Sequence, residues 1–251
     1  KKKIIMQLFK VAYRKSACIM FQNSTNMALA KKLGWIKGDY KLIPGSGVNI
    51  SRYPVQDYPD GGDGSEGAPV VFNYIGRILH DKGVDDYIEA AKRIKAKYPK
   101  TEFNMIGFIE PTEAHYKEEL AELEKINIVK YRGSQNDVKP WIKRAHAIIH
   151  PSTYGEGMSN VLLENASSGR LIITTDNPGC KEIVDNGNSG FIYQGGDIDD
   201  LESKIEFVIV NMTNGERKQM GLMGRKKVAI KFNRVLVVDA YMKKIKELQM
   251  I

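Results

Sequence analysis

Short apolar runs alternate with amphipathic helical stretches from Val70 onwards, and no other feature of the chain constrains its fold as strongly. The apolar runs predict strands at 70–75, 102–106, 128–131, 146–149, 171–174 and 190–193. The other stretches predict helices at 83–97, 112–125, 136–143, 160–168, 180–185, 198–212, 215–230 and 233–248. This alternation is typical of an α/β fold with a parallel sheet flanked by helices. Ligands of such folds bind at the carboxyl ends of the strands, so functional residues are expected there.

The residues before Val70 follow a different pattern. They predict a basic amphipathic helix at 1–16, a buried strand at 17–21, a helix at 25–33 and a short strand at 41–43. These pieces are typical of the end of a second Rossmann-type domain. The first strand and glycine-rich loop of such a domain are not found in this sequence, and the chain does not begin with Met. We therefore expect a truncated piece of a longer protein.

A linker rich in proline, glycine and acidic residues is predicted at 50–68. It contains a G-x-G-x-x-G match at Gly62, Gly64 and Gly67, which is the spacing of a dinucleotide-binding loop. The match precedes a strand instead of following one, and the acidic residues between the glycines would repel phosphate. We therefore interpret it as part of a flexible linker and not as a nucleotide site.

Composition excludes several classes of protein. The chain is 42% hydrophobic, which favours a packed core, and its two cysteines, Cys18 and Cys180, indicate no disulfide framework and fit a cytoplasmic protein. No apolar run reaches the length of a membrane-spanning helix. The net charge is +8, without a basic stripe interleaved with aromatic residues, so nucleic acid is not an expected partner. The charge indicates either a solvated basic surface or attraction to the inner face of an anionic membrane.

Two glutamates, Glu156 and Glu164, stand eight residues apart where a strand, a glycine-rich turn and a helix follow one another. Ser159 or Asn160 fits the N-cap position, and the free N–H groups of the first helical turn attract an anion. Carboxylates accept hydrogen bonds from hydroxyl groups. The pattern therefore predicts a phosphate held by backbone, with hydroxyl groups held by the two glutamates. An ordinary capped helix with surface carboxylates is the alternative.

This spacing resembles the E-x7-E signature of the GT4 family, retaining glycosyltransferases with two Rossmann-like domains in the GT-B fold. Three further segments resemble motifs of that family in the same order along the chain. They are its interdomain segment at Ile43–Asn49, its G-R-x4-K-G loop at Gly76–Gly83, and its x-G-G/C-x-x-E-I-V turn at Asn177–Val184, followed by Gly187 and Gly190-Phe191. The resemblance covers about residues 43–191, and the tail at 232–248 resembles the family's last helix more weakly.

The resemblance implies roles for the charged residues of these motifs. Arg77 and Lys82 would bind the diphosphate of a nucleotide sugar, where cations stabilise the charge that grows on the leaving phosphate. Glu156 would hold a hydroxyl group of the donor sugar, and Glu164 would hold the ribose hydroxyl groups. Glu156, Arg77 and Lys82 are thus the expected catalytic residues, and no metal ligand is expected. Solvated loop charges are the alternative.

The other binding residues are expected in the loops that follow the strands. The resemblance implies that Gly157, Met158, Ser159 and Asn160 offer backbone N–H groups to sugar and phosphate, and that Gly76 lets the backbone come close. Segments at Gly107 and Arg132 would enclose the nucleobase, and Arg132 could stack on it, unless it is a surface arginine. The expected donor is a UDP-sugar, with guanosine and adenosine left open, and no further cofactor is expected.

The leading interpretation is the donor-binding half of a retaining glycosyltransferase of capsular or cell-envelope polysaccharide synthesis, with a glycan or lipid-linked acceptor. Its expected parts are a remnant of the acceptor-side domain at 1–49, the linker at 50–68, the donor-binding domain at 69–232, and a helix at 233–251 that crosses back. Alone, such a piece would bind donor but have little or no activity. A non-catalytic nucleotide-sugar-binding module and a GT-B-fold sugar-nucleotide epimerase are the alternatives.

Overall fold

The computed structural model describes residues 2–61 and 68–249. Gly62, Gly64 and Gly67 of the predicted linker lie outside the described residues. The strands are β1 (Cys18–Phe21), β2 (Asp39–Leu42), β3 (Val71–Ile75), β4 (Glu102–Ile106), β5 (Lys130–Tyr131), β6 (Ala147–His150), β7 (Leu171–Thr175) and β8 (Phe191–Tyr193). The helices are α1 (Lys2–Lys15), α2 (Ser24–Lys32), α3 (Val84–Lys97), α4 (Tyr116–Lys125), α5 (Lys139–Arg144), α6 (Asn160–Ser167), α7 (Ile198–Val210), α8 (Asn214–Lys231) and α9 (Arg234–Gln249).

Six strands form one parallel sheet in the order β5-β4-β3-β6-β7-β8. The first strand of this sheet, β3, lies in its middle. The next strands, β4 and β5, follow on one side of β3, and β6, β7 and β8 follow on the other side. The strand order therefore reverses between β3 and β6, and a crevice opens there at the carboxyl ends of the strands. This is the α/β architecture that the alternating sequence pattern predicts.

The central strands β6 and β7 are buried along their whole length because helices cover both faces of the sheet. Alternate residues of β6 point to opposite faces: Ile149 packs in the core with α3, α4 and α7, whereas Ile148 packs with α5. Leu162 and Leu163 of α6 pack with Val228 of α8. Each such side chain contributes about 1.5–3 kcal/mol when fully buried, so the sheet is a rigid base for its loops.

The first segment forms a small sheet of its own, in which β1 and β2 pair in parallel. Helix α9 lies beside this sheet, where Lys244 pairs with Asp39. The entry to α9 is fixed by backbone hydrogen bonds between Val48 and its neighbours in space: Val48 N–H donates to the Phe232 carbonyl group (2.8 Å), and Arg234 N–H donates to that of Val48 (3.0 Å). The last helix thus returns to the start of the chain. The domain boundaries at 49, 68 and 232 stay predictions.

The six predicted strands of the main sheet are present, but one predicted helix is wrong. Residues 178–183 form consecutive turns, with the Ile183 N–H donating to the Cys180 carbonyl group at 3.0 Å, and residues 184–185 have no regular structure. Cys180, Ile183 and Val184 are buried on the core, and the bridge between Asn186 and Gly190 follows at once. Packing of these three buried residues and the bridge that follows favour turns over a helix in this segment.

The predicted helix at 112–125 is shorter than expected. A 3-10 turn at Pro111–Glu113 comes first, and α4 begins only at Tyr116. The buried face of α4 consists of Tyr116, Leu120 and Leu123, whose spacing agrees with the predicted amphipathic pattern. Among the described residues, no helix combines the length and the apolar character that crossing a membrane requires.

Candidate functional site

Two of the predicted loops meet in the crevice between β3 and β6. Strand β3 leads directly into Gly76-Arg77, and β6 leads into the loop 151–159 ahead of α6. The turn after β3 ends at Gly83, where φ is +73° and an added Cβ would meet the carbonyl oxygen of Pro151. Glycine is required there because it alone tolerates both this backbone conformation and this contact. The loop after β3 therefore lies directly on the loop after β6.

Lys82 and Glu156 form an ion pair at the centre of this contact. The Lys82 ammonium group donates to Glu156 Oε1, and the side chains are only 11% and 15% exposed. Removing one member of such a pair leaves the other charge buried without a partner, which is costly. The two residues predicted to serve phosphate and sugar therefore neutralise each other where the two loops meet.

Arg77 lies beside this pair, and Tyr154 links the two cations. The Arg77 guanidinium group donates to Glu110 Oε1 at 2.9 Å, and this bond raises the pKa of Arg77. The Tyr154 ring centre is 5.5 Å from Arg77 Cζ and 4.6 Å from Lys82 Nζ, within the range of cation–π contacts. Two positive charges therefore border one ring at the mouth of the crevice.

The amino terminus of α6 points into the same crevice. Ser159 Oγ caps the helix by accepting from the Leu162 N–H at 3.5 Å. The Ser159 N–H is engaged, because it donates to the Gly179 carbonyl oxygen at 2.8 Å. This differs from the prediction that all four N–H groups of 157–160 are offered to a ligand. In the described part of the chain, the N–H groups of Gly157, Met158 and Asn160 have no acceptor, so these three remain available.

The motif at Ile43–Asn49 packs against this helix terminus. Ser46 Oγ donates to Asn160 Oδ1 at 2.6 Å, and an added Cβ at Gly45 would meet Met158. Met158 is buried and belongs to the core beside α6 and α8. Its side chain is therefore a packing group, and only its backbone faces the crevice.

Glu164 lies on α6 and is half-buried. Burial raises the pKa of its carboxyl group, whereas a hydrogen bond from Tyr53 and the charges of Arg52 and Arg234 act in the opposite direction. Burial, and to a lesser degree the negative charge of Glu164, raises the pKa of Tyr53 to about 12. Tyr53 comes from the predicted linker, and sequence reasoning did not identify it.

His146, which directly precedes β6, and His150, the last residue of β6, are both buried. Burial, together with the charge of Lys82, lowers the pKa of His150 to about 3, so the ring is neutral. His150 Nε2 is 3.2 Å from Ser159 Oγ, and His146 Nδ1 accepts from the Val71 N–H at 3.0 Å. Within the described residues, no three His, Cys, Asp or Glu side chains are grouped as metal ligands would be.

The loops after β4 and β5 extend the crevice along the edge of the sheet. The Gly107 N–H donates to the Gly133 carbonyl oxygen at 2.9 Å, and an added Cβ at Gly107 would meet the carbonyl oxygen of Gly76. Arg132 lies at this edge, where its Nε donates to Asn104 Oδ1 at 3.2 Å and its Cζ is 5.8 Å from the Trp141 ring centre. Its predicted stacking on a nucleobase stays a prediction.

The structure thus brings the predicted residues of 76–82 and 156–160 together and places Glu164 one helical turn farther along α6. Sequence reasoning missed Tyr53, Glu110, Tyr154 and Asn23, whose amide group donates to the Glu156 and Gly157 carbonyl oxygens. Tyr154 stands next to the glutamate motif and could have been noticed. Asn23 carries no local signal, because it is separated from its partners by more than 130 residues.

Comparison with known proteins identifies the group to which this geometry belongs. Residues 63–227, more than half of the chain, match the sequence model of the family described as glycosyl transferases group 1. The capsular polysaccharide biosynthesis glycosyltransferase CapM of Staphylococcus aureus is 31% identical over 66% of this chain and 43% of its own length. The N,N'-diacetylbacillosaminyl-diphospho-undecaprenol alpha-1,3-N-acetylgalactosaminyltransferase of Campylobacter jejuni is 25% identical over 82% of this chain and 54% of its own length. The chain therefore spans about half the length of these relatives.

Solved structures agree on the fold. Anabaena HepE in complex with UDP and glucose superposes with a TM-score of 0.82 at 18% identity, covering 98% of this chain and 68% of the other. A glycosyltransferase from Rickettsia africae superposes with a TM-score of 0.82 at 20% identity, covering 96% and 67%. These likenesses confirm the predicted GT-B-type architecture. Together with the family match over residues 63–227, they establish that this chain belongs to the group 1 glycosyltransferases, the GT4-like family that its four motifs resemble.

Proposed function

We propose that the crevice between β3 and β6 binds a UDP-sugar and that the chain takes part in retaining sugar transfer from it. The observation that carries this proposal is the Lys82–Glu156 pair at the amino terminus of α6. One group suits a phosphate and the other suits a sugar hydroxyl, and they already touch. UDP is favoured because the solved structure of HepE, a neighbour in fold, holds UDP and glucose.

Donor binding would exchange partners within this pair. The β-phosphate takes the place of the Glu156 carboxylate on Lys82, and Arg77, which lies near the same Tyr154 ring, is the second cation. The free N–H groups of Gly157 and Asn160, together with the dipole of α6, add positive potential. Glu156 then turns to a hydroxyl group of the sugar. Glu164, whose pKa Tyr53 helps to set, accepts from the ribose hydroxyl groups.

In the proposed reaction the bond between the anomeric carbon and the phosphate oxygen breaks, and the electron pair leaves with UDP. Lys82 and Arg77 stabilise the negative charge that grows there, and this charge is larger in the transition state than in the bound donor. The acceptor hydroxyl attacks the face that the phosphate leaves, and its proton passes to the departing phosphate oxygen. The configuration at the anomeric carbon is retained because the acceptor hydroxyl enters on the same face from which the phosphate departs. In this proposal Glu156 orients the sugar and does not act as a nucleophile.

The proposed acceptor is a glycan or a lipid-linked glycan, and the setting is cell-envelope or capsular polysaccharide synthesis on the cytoplasmic side. The names of the relatives support this, because one acts in capsule synthesis and one is named for an undecaprenol diphosphate acceptor. We propose weak or no transfer by the chain alone, since it spans about half of such relatives. Saturable transfer by the purified chain would contradict that part of the proposal.

Calorimetric titration with UDP, GDP and ADP tests the donor site. We expect UDP to bind, and we expect Lys82→Ala and Glu164→Ala each to weaken it by about 10- to 100-fold, the effect of losing a hydrogen bond to a charged group. Lys92→Ala and Glu118→Ala, at exposed positions of α3 and α4, are the matched controls and should bind as the wild type does. Absence of binding by all three nucleotides, or equal binding by all five proteins, would refute the donor site.

A further inference from the structure

The backbone of Glu156 is held by a residue of the first segment of the chain. Asn23 follows β1, and its Nδ2 donates to the carbonyl oxygens of Glu156 (3.2 Å) and Gly157 (2.8 Å). Its side-chain oxygen accepts from the Asn26 N–H at 2.8 Å and so caps α2. Asn23 is only 2% exposed. A single buried amide group therefore connects α2 with the loop that carries Glu156.

The direction of this amide group is fixed by its partners. Two carbonyl oxygens require donors, and the Asn26 N–H requires an acceptor. An amide turned by 180° would direct oxygen at oxygen and nitrogen at N–H, so only the observed orientation satisfies all three groups. Asparagine is suited to this place, because aspartate has no donor and serine is too short to reach both carbonyl groups.

Close contacts on two sides leave the loop little freedom. An added Cβ at Gly157 would meet Gln22 Oε1, and one at Gly179 would meet the Cβ and carbonyl oxygen of Glu156. Between these two contacts, Asn23 donates hydrogen bonds to the main chain of the loop, and Lys82 pairs with the Glu156 carboxylate. If Lys82 binds a phosphate instead, the Glu156 carboxylate loses its ion pair, whereas the hydrogen bonds from Asn23 to the main chain remain.

From this arrangement we infer that Asn23 is a positioning residue for the donor sugar: it holds the backbone of Glu156 and Gly157 so that the carboxylate faces a sugar hydroxyl after Lys82 has moved to the phosphate. The inference rests on the proposed function of the same crevice. It adds that the small β1–β2 sheet contributes to sugar recognition, although the nucleotide is bound by the other sheet. Loss of Asn23 should therefore weaken binding of the sugar more than binding of the nucleotide.

The test variant is Asn23→Asp, which keeps the oxygen that caps α2, since aspartate caps as well as asparagine, and removes both donors to the loop. Asn26→Asp makes the same chemical change at an exposed position of the same helix and is the matched control. Hydrogen exchange measured without ligand should be faster over residues 153–162 in Asn23→Asp only, while residues 24–33 exchange as in the wild type. Unchanged exchange over 153–162 would overturn the inference whether or not any nucleotide binds.

Titration with UDP, UDP-glucose and UDP-N-acetylglucosamine then measures the consequence for the sugar. In the wild type and Asn26→Asp, the better of the two UDP-sugars should bind more tightly than UDP. In Asn23→Asp we expect this gain to fall about tenfold, while the affinity for UDP itself falls by about threefold at most, because the loop is loosened but the cations that bind the phosphate are kept. An equal loss for UDP and UDP-sugar, an undiminished gain, or no gain in the wild type would each overturn the inference. A wild type that binds none of the three would instead refute the proposed donor site.

Discussion

At the residue scale, the site is arranged so that its charged groups are paired before a ligand arrives. Lys82 and Glu156 are nearly buried and neutralise each other, and Arg77 is paired with Glu110. Burying Lys82 or Glu156 without a partner would cost several kcal/mol, and their pairing avoids this cost. The consequence is that Glu156 competes with any anion for Lys82.

This competition predicts an unusual gain of affinity. Glu156→Gln removes the competing charge and leaves Lys82 buried without an ionic partner, so UDP should bind about tenfold more tightly than to the wild type. A UDP-sugar should gain less, because the carboxylate that orients its hydroxyl group is lost. Calorimetry with both ligands measures the difference, and Glu118→Gln is the control. Weaker UDP binding in Glu156→Gln would contradict a competing role for the carboxylate.

The neutral His150 predicts a dependence of stability on pH. Its pKa is about 3 in the folded protein and about 6.5 when unfolded, so between these values the unfolded chain binds the extra proton. The free energy of unfolding therefore rises with pH over this window and falls as the solution is acidified. From pH 7 to pH 5 the loss due to this histidine is about 2 kcal/mol.

Urea unfolding at pH 7 and pH 5 measures this contribution. The decrease between the two pH values should be about 2 kcal/mol smaller in His150→Gln than in the wild type, whatever the variant costs in packing at pH 7. His115→Gln, at an exposed position, is the control. An identical decrease in wild type and His150→Gln would show that the ring is not held neutral in the folded state.

At the scale of the element, two helix caps allow stability and binding to be separated. Ser159 caps α6 in the crevice, and Thr213 forms a capping box with Glu216 at the start of α8, where both residues lie at the surface. Ser159→Ala and Thr213→Ala should each lower the free energy of unfolding by about 1 kcal/mol. Only Ser159→Ala should also weaken the binding of UDP, on the order of threefold, because fraying of α6 misdirects the N–H groups of its first turn. Equal affinity of both variants for UDP would show that the amino terminus of α6 does not contribute to UDP binding.

Elements with a strong local signal could be predicted from sequence, and those set by distant contacts could not. The buried strands β6 and β7 and the amphipathic α3 carry their periodicity within a few residues. The segment 180–185 has a helix-like apolar spacing, but packing of its buried residues against the sheet and the bridge at Asn186 impose turns. Of the site, the charged motif residues could be predicted because each motif is local. Tyr53 and Asn23 could not, because their partners come from other segments of the fold.

At the scale of the whole molecule, helix α1 combines positive charge with an unusual exposed surface. Phe9 and Tyr13 dock the helix, with their ring centres 5.9 and 5.7 Å from that of Trp35. Other apolar residues of α1 face outwards; Ile4, Ile5, Leu8 and Val11 are all more than half exposed. An apolar face with cations beside it, on a chain of net charge +8, is typical of a helix that lies on an anionic membrane.

We therefore expect the chain to bind vesicles that contain phosphatidylglycerol and to bind neutral phosphatidylcholine vesicles less. Both forces contribute: apolar burial gives about 25 cal/mol per Å², and the attraction between charges is screened over about 10 Å at 0.1 M salt. Sedimentation with vesicles should show binding that falls at 0.5 M salt and falls further in Leu8→Glu. Ile126→Glu makes the same change at a site of matching exposure, 68% against 64%, on the turn after α4, and should bind as the wild type does. If both variants lose binding equally, net charge alone accounts for the attraction, and α1 is not the surface that meets the membrane.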